Sequence, residues 1–265
     1  MVFASLAFTI MVACIHVLRE TLDTPTIVFW RCILPIPALV IFMMWQKHSF
    51  HLPDLRIFIV RCLFGFGNMV GLFYAAQGLR VTDMTAIAHA PPALVVIGAT
   101  TWLGEKPTKH IQFGIVVGFI GCIGALGIPA INSRYGLAAL GAACSLAVAH
   151  LALRRLGTTG HTLAVVLWFH VACGYLAVGM MQSVTQFVVP MNLWPLLVLA
   201  STAAVVGQVL VAYAYRHETA SRVAPMALSG LLWGLLVDFG AFGVFPGPSV
   251  VYGGLIVLLA LLAMR

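Results

Sequence analysis

The sequence predicts an all-α integral membrane protein, with ten transmembrane helices arranged as two inverted five-helix repeats. Three observations carry this. Hydrophobic residues make up 62% of the 265-residue chain and charged residues only 8%, whereas soluble domains run near ~25% charged. The apolar residues fall into ten runs, each close to the roughly 20 residues a helix needs to cross about 30 Å of hydrocarbon. Five spans per half is an odd number, so a repeated half must run through the membrane inverted. No room remains for a large soluble domain, and the function has to reside in the bundle and its short loops.

In order, the runs cover residues 2–18, 24–45, 56–79, 82–103, 110–128, 135–153, 162–181, 193–215, 220–241 and 249–264. The first lacks a basic front and a small-x-small cleavage site, so it reads as a retained helix and not a signal peptide. Orientation follows from Lys and Arg. With both termini cytoplasmic, the inner side holds Lys47, Arg56, Arg61, Lys106, Lys109, Arg154, Arg155, Arg216, Arg222 and Arg265, against Arg19, Arg80 and Arg134 outside. That excess obeys the positive-inside rule for a multi-pass protein of the cell inner (plasma) membrane. The formal charge of +7 is thereby a matter of topology, and no nucleic-acid partner is expected. The six cysteines all lie inside apolar runs without a C-x-x-C, which reads as buried thiols and no metal site. No nucleotide-binding or zinc motif is present, and no cofactor is expected. Gly65-x-Gly67-x-x-x-Gly71 lies inside a span and reads as helix packing.

A shift of 139 residues superposes Tyr74 on Tyr213, Gly104 on Gly243, Pro107 on Pro246 and Gly114 on Gly253. The order of elements says more than these identities. Each half ends with an apolar run, a Gly-x-x-Pro turn and a glycine-bearing run, and Trp168 in run seven stands near the place matching Trp30 in run two. The repeats are residues 1–130 and 135–265. Inverted repeats place a substrate site near the midplane, between the halves.

Phe29-Trp30-Arg31 early in run two, Thr85-Ala86 before the Pro91-Pro92 pair, and Leu103-Gly104-Glu105-Lys106 closing run four resemble the drug/metabolite transporter superfamily, EamA type. The resemblance covers nearly the whole chain and is strongest from Tyr74 to Gly121. It implies a carrier of small organic metabolites, and it implies an arginine at position 31. The second half departs from the pattern, because Val244 follows Gly243 where the first half has Glu105.

Polar side chains within a span are costly and mark functional candidates. Arg31 lies about 10 Å inside run two at ~1.5 Å per residue. It is a cation for an anionic substrate group, a gate, or a snorkelling partner of Glu20 or Asp23. His89 shares one face of run four with Thr85, Pro92 and Val96. It is the candidate for a coupling proton, or a partner of a carbonyl freed by proline. Trp30 and Trp168 could sandwich a flat ligand from opposite halves, with His170 beside them; ordinary packing is the alternative. Asn68 and Tyr74 of run three, and Gln208 and Tyr213 of run eight, are candidate substrate contacts or helix-to-helix bonds. Asp238, His16 and His150 read as residues near helix ends. Glu105 reads as a turn residue that caps or pairs. The glycines at 114, 118, 121, 124 and 127, with Gly253-Gly254, form small faces that serve as scaffold or as a homodimer contact; otherwise the protein is a monomer.

The reading is a gradient-driven transporter of a small metabolite in the lipid bilayer, working by alternating access. A membrane-embedded enzyme would need clustered acids or histidines, and the seven acids are scattered. A structural subunit would have little reason to bear the cost of the buried polar set.

Overall fold

The computed structural model describes residues 1–52, 54–75, 89–126, 134–157, 161–183, 187–243 and 247–264. Their regular structure is entirely helical: α1 (Val2–Leu18), α2 (Thr24–Ile33), α3 (Pro35–Trp45), α4 (Leu55–Ala75), α5 (Pro91–Trp102), α6 (Lys109–Leu126), α7 (Arg134–Gly157), α8 (Thr162–Val178), α9 (Trp194–His217), α10 (Ala220–Val223), α11 (Ser229–Phe242) and α12 (Pro248–Ala263). A 3-10 turn, Ala224–Leu228, joins α10 to α11. Thr85, Gln77, Arg80, Val244 and the side chain of Asp238 lie outside the described residues.

Five stretches are long and apolar enough to cross a membrane: Thr24–Trp45, Leu55–Leu72, Arg134–Gly157, Met191–His217 and Ala220–Val237. Five shorter apolar helices, Val2–Leu18, Pro91–Trp102, Lys109–Gly121, Thr162–Val178 and Pro248–Ala263, fall in the other expected runs.

Local chemistry explains the boundaries. Asp23 caps α2, its side chain accepting from Thr26 N–H at 3.1 Å. Pro35 offers no N–H to the Arg31 carbonyl one turn earlier, which interrupts the second run. Leu34 keeps helical angles (φ −55°, ψ −41°), so α2 and α3 remain one bent span. Asp54 caps α4, accepting from Arg56 and Ile57 N–H groups at 3.0 and 3.1 Å. Past the end of α5, Gly104 takes φ +66°, a conformation open to glycine. The Glu105 N–H then closes on the Ala99 carbonyl at 3.1 Å. Gly243, its counterpart after α11, takes φ +65°.

The main helix pairs are α4 with α7, α6 with α12, α1 with α9, and α2 with α8. The α6–α12 seam uses the glycine stripe. A Cβ on Gly114 would collide with Met264, one on Gly118 with Leu228, and one on Gly121 would stand 3.0 Å from the Gly253 carbonyl oxygen. These three glycines are therefore covered within the chain. At one end of the bundle α7 also meets α9, where Gly157 lies against the Arg216 backbone, its ideal Cβ 3.1 Å from the Arg216 Cα. Among the described residues α1 and α4 form no comparable packed pair.

Candidate functional site

Both proline-disturbed segments face one cavity. Pro91 and Pro92 open α5, and Ala224 and Ala227 belong to the 3-10 turn around Pro225. Together with His89, Leu146, His150 and Tyr215 they line a space of about 90 Å³ between the first and second halves of the chain. His89 is thus on the cavity wall. His150 is beside it, which corrects its reading as a helix-end residue: α7 continues to Gly157, so His150 stands two turns inside. Its ring packs on Tyr215, with centroids 5.3 Å apart. Tyr215 is fully buried, and among the described residues its hydroxyl has no hydrogen-bond partner.

A polar latch lies one helical turn below. Arg154 follows His150 by four residues, on the same face of α7. Its Nε pairs with the Glu105 carboxylate at 3.4 Å, and its Nη1 donates to the Tyr215 carbonyl at 2.7 Å. Glu105 accepts from the N–H groups of Ala220 and Ser221 at 3.0 and 2.9 Å, and from the Ser221 hydroxyl at 2.6 Å. One carboxylate from the first half thus caps the start of α10 in the second. Burial acts to raise the Glu105 pKa, but the bonds from Ser221 and Ala220 and the charge of Arg154 outweigh it, holding the carboxylate below its ordinary range. The expectation of a capping and pairing role holds, though the partners are 115 and 116 residues away.

Arg61 is the residue that sequence reasoning misplaced. Counted there with the cytoplasmic loops, it sits six residues inside α4 and is only 3% exposed. Its guanidinium lies over the Phe169 ring, 3.9 Å from the centroid, and Nη2 donates to Gln208 Oε1 at 3.0 Å. Nε has no partner, and among the described residues no carboxylate pairs with it. Gly65, one turn on, makes the room: a Cβ there would collide with the Arg61 guanidinium and stand 2.8 Å from the Phe169 ring. Gln208 is therefore at the centre, as a candidate contact, through Arg61.

Arg31 is half-buried between helices. Its guanidinium donates to the thioether sulfurs of Met11 on α1, at 3.3 Å, and Met69 on α4, at 2.6 Å. It pairs with neither Glu20 nor Asp23, so snorkelling onto an acid is not its arrangement. His170 is buried on α8, with Nδ1 bound at 2.9 Å to the Val166 carbonyl. Asn68 is half-buried on α4.

Other candidates are not brought together. Trp30 packs edge-on against Trp194, centroids 5.0 Å apart, and its indole N–H reaches the Phe187 carbonyl at 3.2 Å. Trp168 is 39% exposed and bonds to the Phe50 carbonyl at 2.9 Å. Phe50 lies beyond the far end of α3, so the two tryptophans sit at opposite ends of the bent span and form no sandwich. Tyr74 is 40% exposed and leans on Tyr135, centroids 5.3 Å apart. Tyr213 stacks on His217 and borders a separate small space of about 40 Å³ near His48, His161 and Arg216.

Five helices long and apolar enough to cross a membrane, with further apolar helices beside them, mark a multi-pass membrane protein. Residues 1–127 match the EamA-like transporter family. The chain is similar to a pseudopaline exporter, CntI, of Pseudomonas aeruginosa (strain UCBPP-PA14), at 28% identity over 99% of this chain and 93% of that protein. An uncharacterized transporter of Helicobacter pylori (strain 26695) is 24% identical over 93% of this chain and 85% of its own length. The same fold occurs in a crystal structure with a TM-score of 0.82 at 14% identity, covering 99% of this chain and 94% of the other.

Proposed function

We propose that this transporter is a secondary carrier that moves a small anionic metabolite across the inner membrane by alternating access between two inverted five-helix repeats. The observation that carries the reading is the cavity shared by His89 and Pro91 of the first half with His150, Tyr215 and Ala224 of the second. A binding space walled by both halves opens to one side or the other as they rock.

The helix pairing supports the repeat. By run number, the main pairs are three with six, one with eight, two with seven and five with ten. Exchanging each run for the one five places away turns the first pair into the second and leaves the other two unchanged. A two-fold axis in the membrane plane has this property. The pairing of six with eight near Arg216, unmatched by one with three among the described residues, supports a conformation closed at the Glu105 end. In the N-in, C-in orientation that end is cytoplasmic. That the Pseudomonas relatives are exporters supports export as the direction.

Arg31 is assigned to an anionic group of the substrate, since thioethers are weak acceptors and leave its charge unmatched. His89 is assigned to proton coupling, and Asn68, His170 and Gln208 to the surrounding polar shell. Uptake into proteoliposomes under an imposed pH gradient tests both assignments with Arg31→Ala and His89→Ala. Each correctly folded variant is expected to lose at least tenfold in rate. Undiminished gradient-driven uptake by both removes these roles.

A further inference from the structure

We infer that the small space at the start of α8 holds the phosphate of an anionic phospholipid headgroup. The site needs only that the chain crosses a bilayer, and it stands apart from the cavity shared by the two halves.

This space of about 40 Å³ lies where the loop after α3, the first turn of α8 and the end of α9 meet. The start of α8 is uncapped. His161 stands at its N-cap without a side-chain bond, and the first helical N–H to find a carbonyl is that of Val165, 3.1 Å from the His161 oxygen. Thr162, Leu163 and Ala164, whose N–H groups come before it, all line the space. A helix start leaves such donors open, and the helix dipole makes them attractive to an anion.

The Thr162 hydroxyl is the second sign of a ligand. Thr162 is only 4% exposed, it lines the same space, and among the described residues its Oγ1 has no hydrogen-bond partner. A buried hydroxyl without a bond is costly, and donating to a phosphate oxygen removes that cost.

Arg216, at the end of α9, brings the charge. It lines the space, and among the described residues no carboxylate pairs with it and no acid shares the lining. A guanidinium donates in a planar fork that matches a phosphate. His48 and His161 each add a ring N–H in either tautomer. The loop that carries His48 is pinned over α8. Trp168 donates to the Phe50 carbonyl at 2.9 Å, and the rings of His51 and His161 meet edge-on with centroids 5.9 Å apart.

Size and position select a lipid. The space has room for about three oxygen-sized atoms at ~10–15 Å³ each, the face that one phosphate presents. Beside it the last turns of α3 expose Phe42, Met44 and Trp45, and the Phe42 ring approaches His48 with centroids 6.5 Å apart. An exposed apolar wall thus leads up to a pocket of donors, the order of an acyl chain and its headgroup. A tryptophan at the end of a span marks headgroup level. In the N-in, C-in orientation this end meets the cytoplasmic leaflet, where basic pockets between helices take anionic headgroups.

The test is binding of dioctanoyl phosphatidylglycerol to the purified full-length chain in neutral detergent, by calorimetry at constant ionic strength. Dioctanoyl phosphatidylcholine, glycerol 3-phosphate and inorganic phosphate are the comparators. Phosphatidylglycerol is expected to bind at least tenfold tighter than any of them. Thr162→Val should weaken it about tenfold, the loss typical of a hydrogen bond to a charged group. Arg216→Gln should weaken it about fivefold, the effect of one basic residue beside an anionic headgroup. Without lipid, Thr162→Val should melt at the same or a higher temperature, because an unpaired buried hydroxyl has been removed. Arg216 is exposed, so its variant decides the matter alone if Thr162→Val does not fold. Wild-type affinity in either folded variant, equal affinity for phosphatidylcholine, or no binding by phosphatidylglycerol overturns the site. Glycerol 3-phosphate or phosphate binding as tightly as the lipid, and weakened by the same substitutions, overturns the lipid as the source of the phosphate.

Discussion

The carboxylate of Glu105 and the hydroxyl of Ser221 lie 2.6 Å apart, oxygen to oxygen, across 116 residues of chain. They tie the turn between α5 and α6 to the start of α10. Arg154 completes the bridge.

Removing this carboxylate should loosen that end of the bundle. Glu105→Ala leaves the first N–H groups of α10 uncapped and Arg154 without its anion. The expected cost is about 1–2 kcal/mol, the range of a lost helix cap, read as a lower melting temperature. A cysteine pair spanning positions 106 and 219 should cross-link less readily in the same variant. Unchanged melting and cross-linking would mean that the latch carries no weight.

Acid should release the same contact. A carboxylate whose folded pKa is depressed contributes stability in full above its unfolded value, here an ordinary 4.5, and loses it as pH falls through the depressed value. Melting temperature should therefore decline below about pH 4.5, and Glu105→Gln should be flatter across that interval. Parallel curves for the two proteins would contradict the role of this group.

Gly65→Ala should act on Arg61. The added Cβ collides with the guanidinium and crowds Phe169 at 2.8 Å. Overpacking of this kind costs about 1–3 kcal/mol, read as a lower melting temperature. Gly67→Ala is the control, since its nearest neighbour is 3.8 Å away, and it should melt near wild type.

The tryptophans should matter for stability and not for substrate choice. Trp30→Phe loses the bond to Phe187, and Trp168→Phe loses the bond to Phe50. Each should cost about 1 kcal/mol. Competition of transport by flat aromatic compounds should be the same in both variants as in wild type. A variant that changes that competition would return its tryptophan to the binding site.

What could be read from the chain follows from which forces act locally. Helices, caps and the Gly104 turn depend on neighbours in sequence; apolar helices lie in all ten expected runs, five of them long enough to cross a membrane. Arg61 was misplaced because an arginine six residues inside a helix normally reaches back to the headgroups. What holds it is Phe169, over a hundred residues away, and the only local sign was Gly65 one turn along. His150 was discounted because the run seemed to end at residue 153, while Arg154 and Arg155 continue the helix as the latch requires. The tryptophan sandwich failed on distant packing. Trp30 is held against Trp194 and Trp168 by the Phe50 carbonyl, partners that no local pattern announces. The latch itself had no signal, since it pairs Glu105 with Arg154 and Ser221, which are far from it in sequence.

Gly104 and Gly243 turn the chain in the same left-handed way, yet an acid follows only the first. Two turns of the same kind are thus fastened unequally. Such a fastening favours whichever conformation keeps it, and a ligand must prefer another conformation by at least that margin to displace it. The single acidic residue thus sets the margin that any such ligand has to overcome.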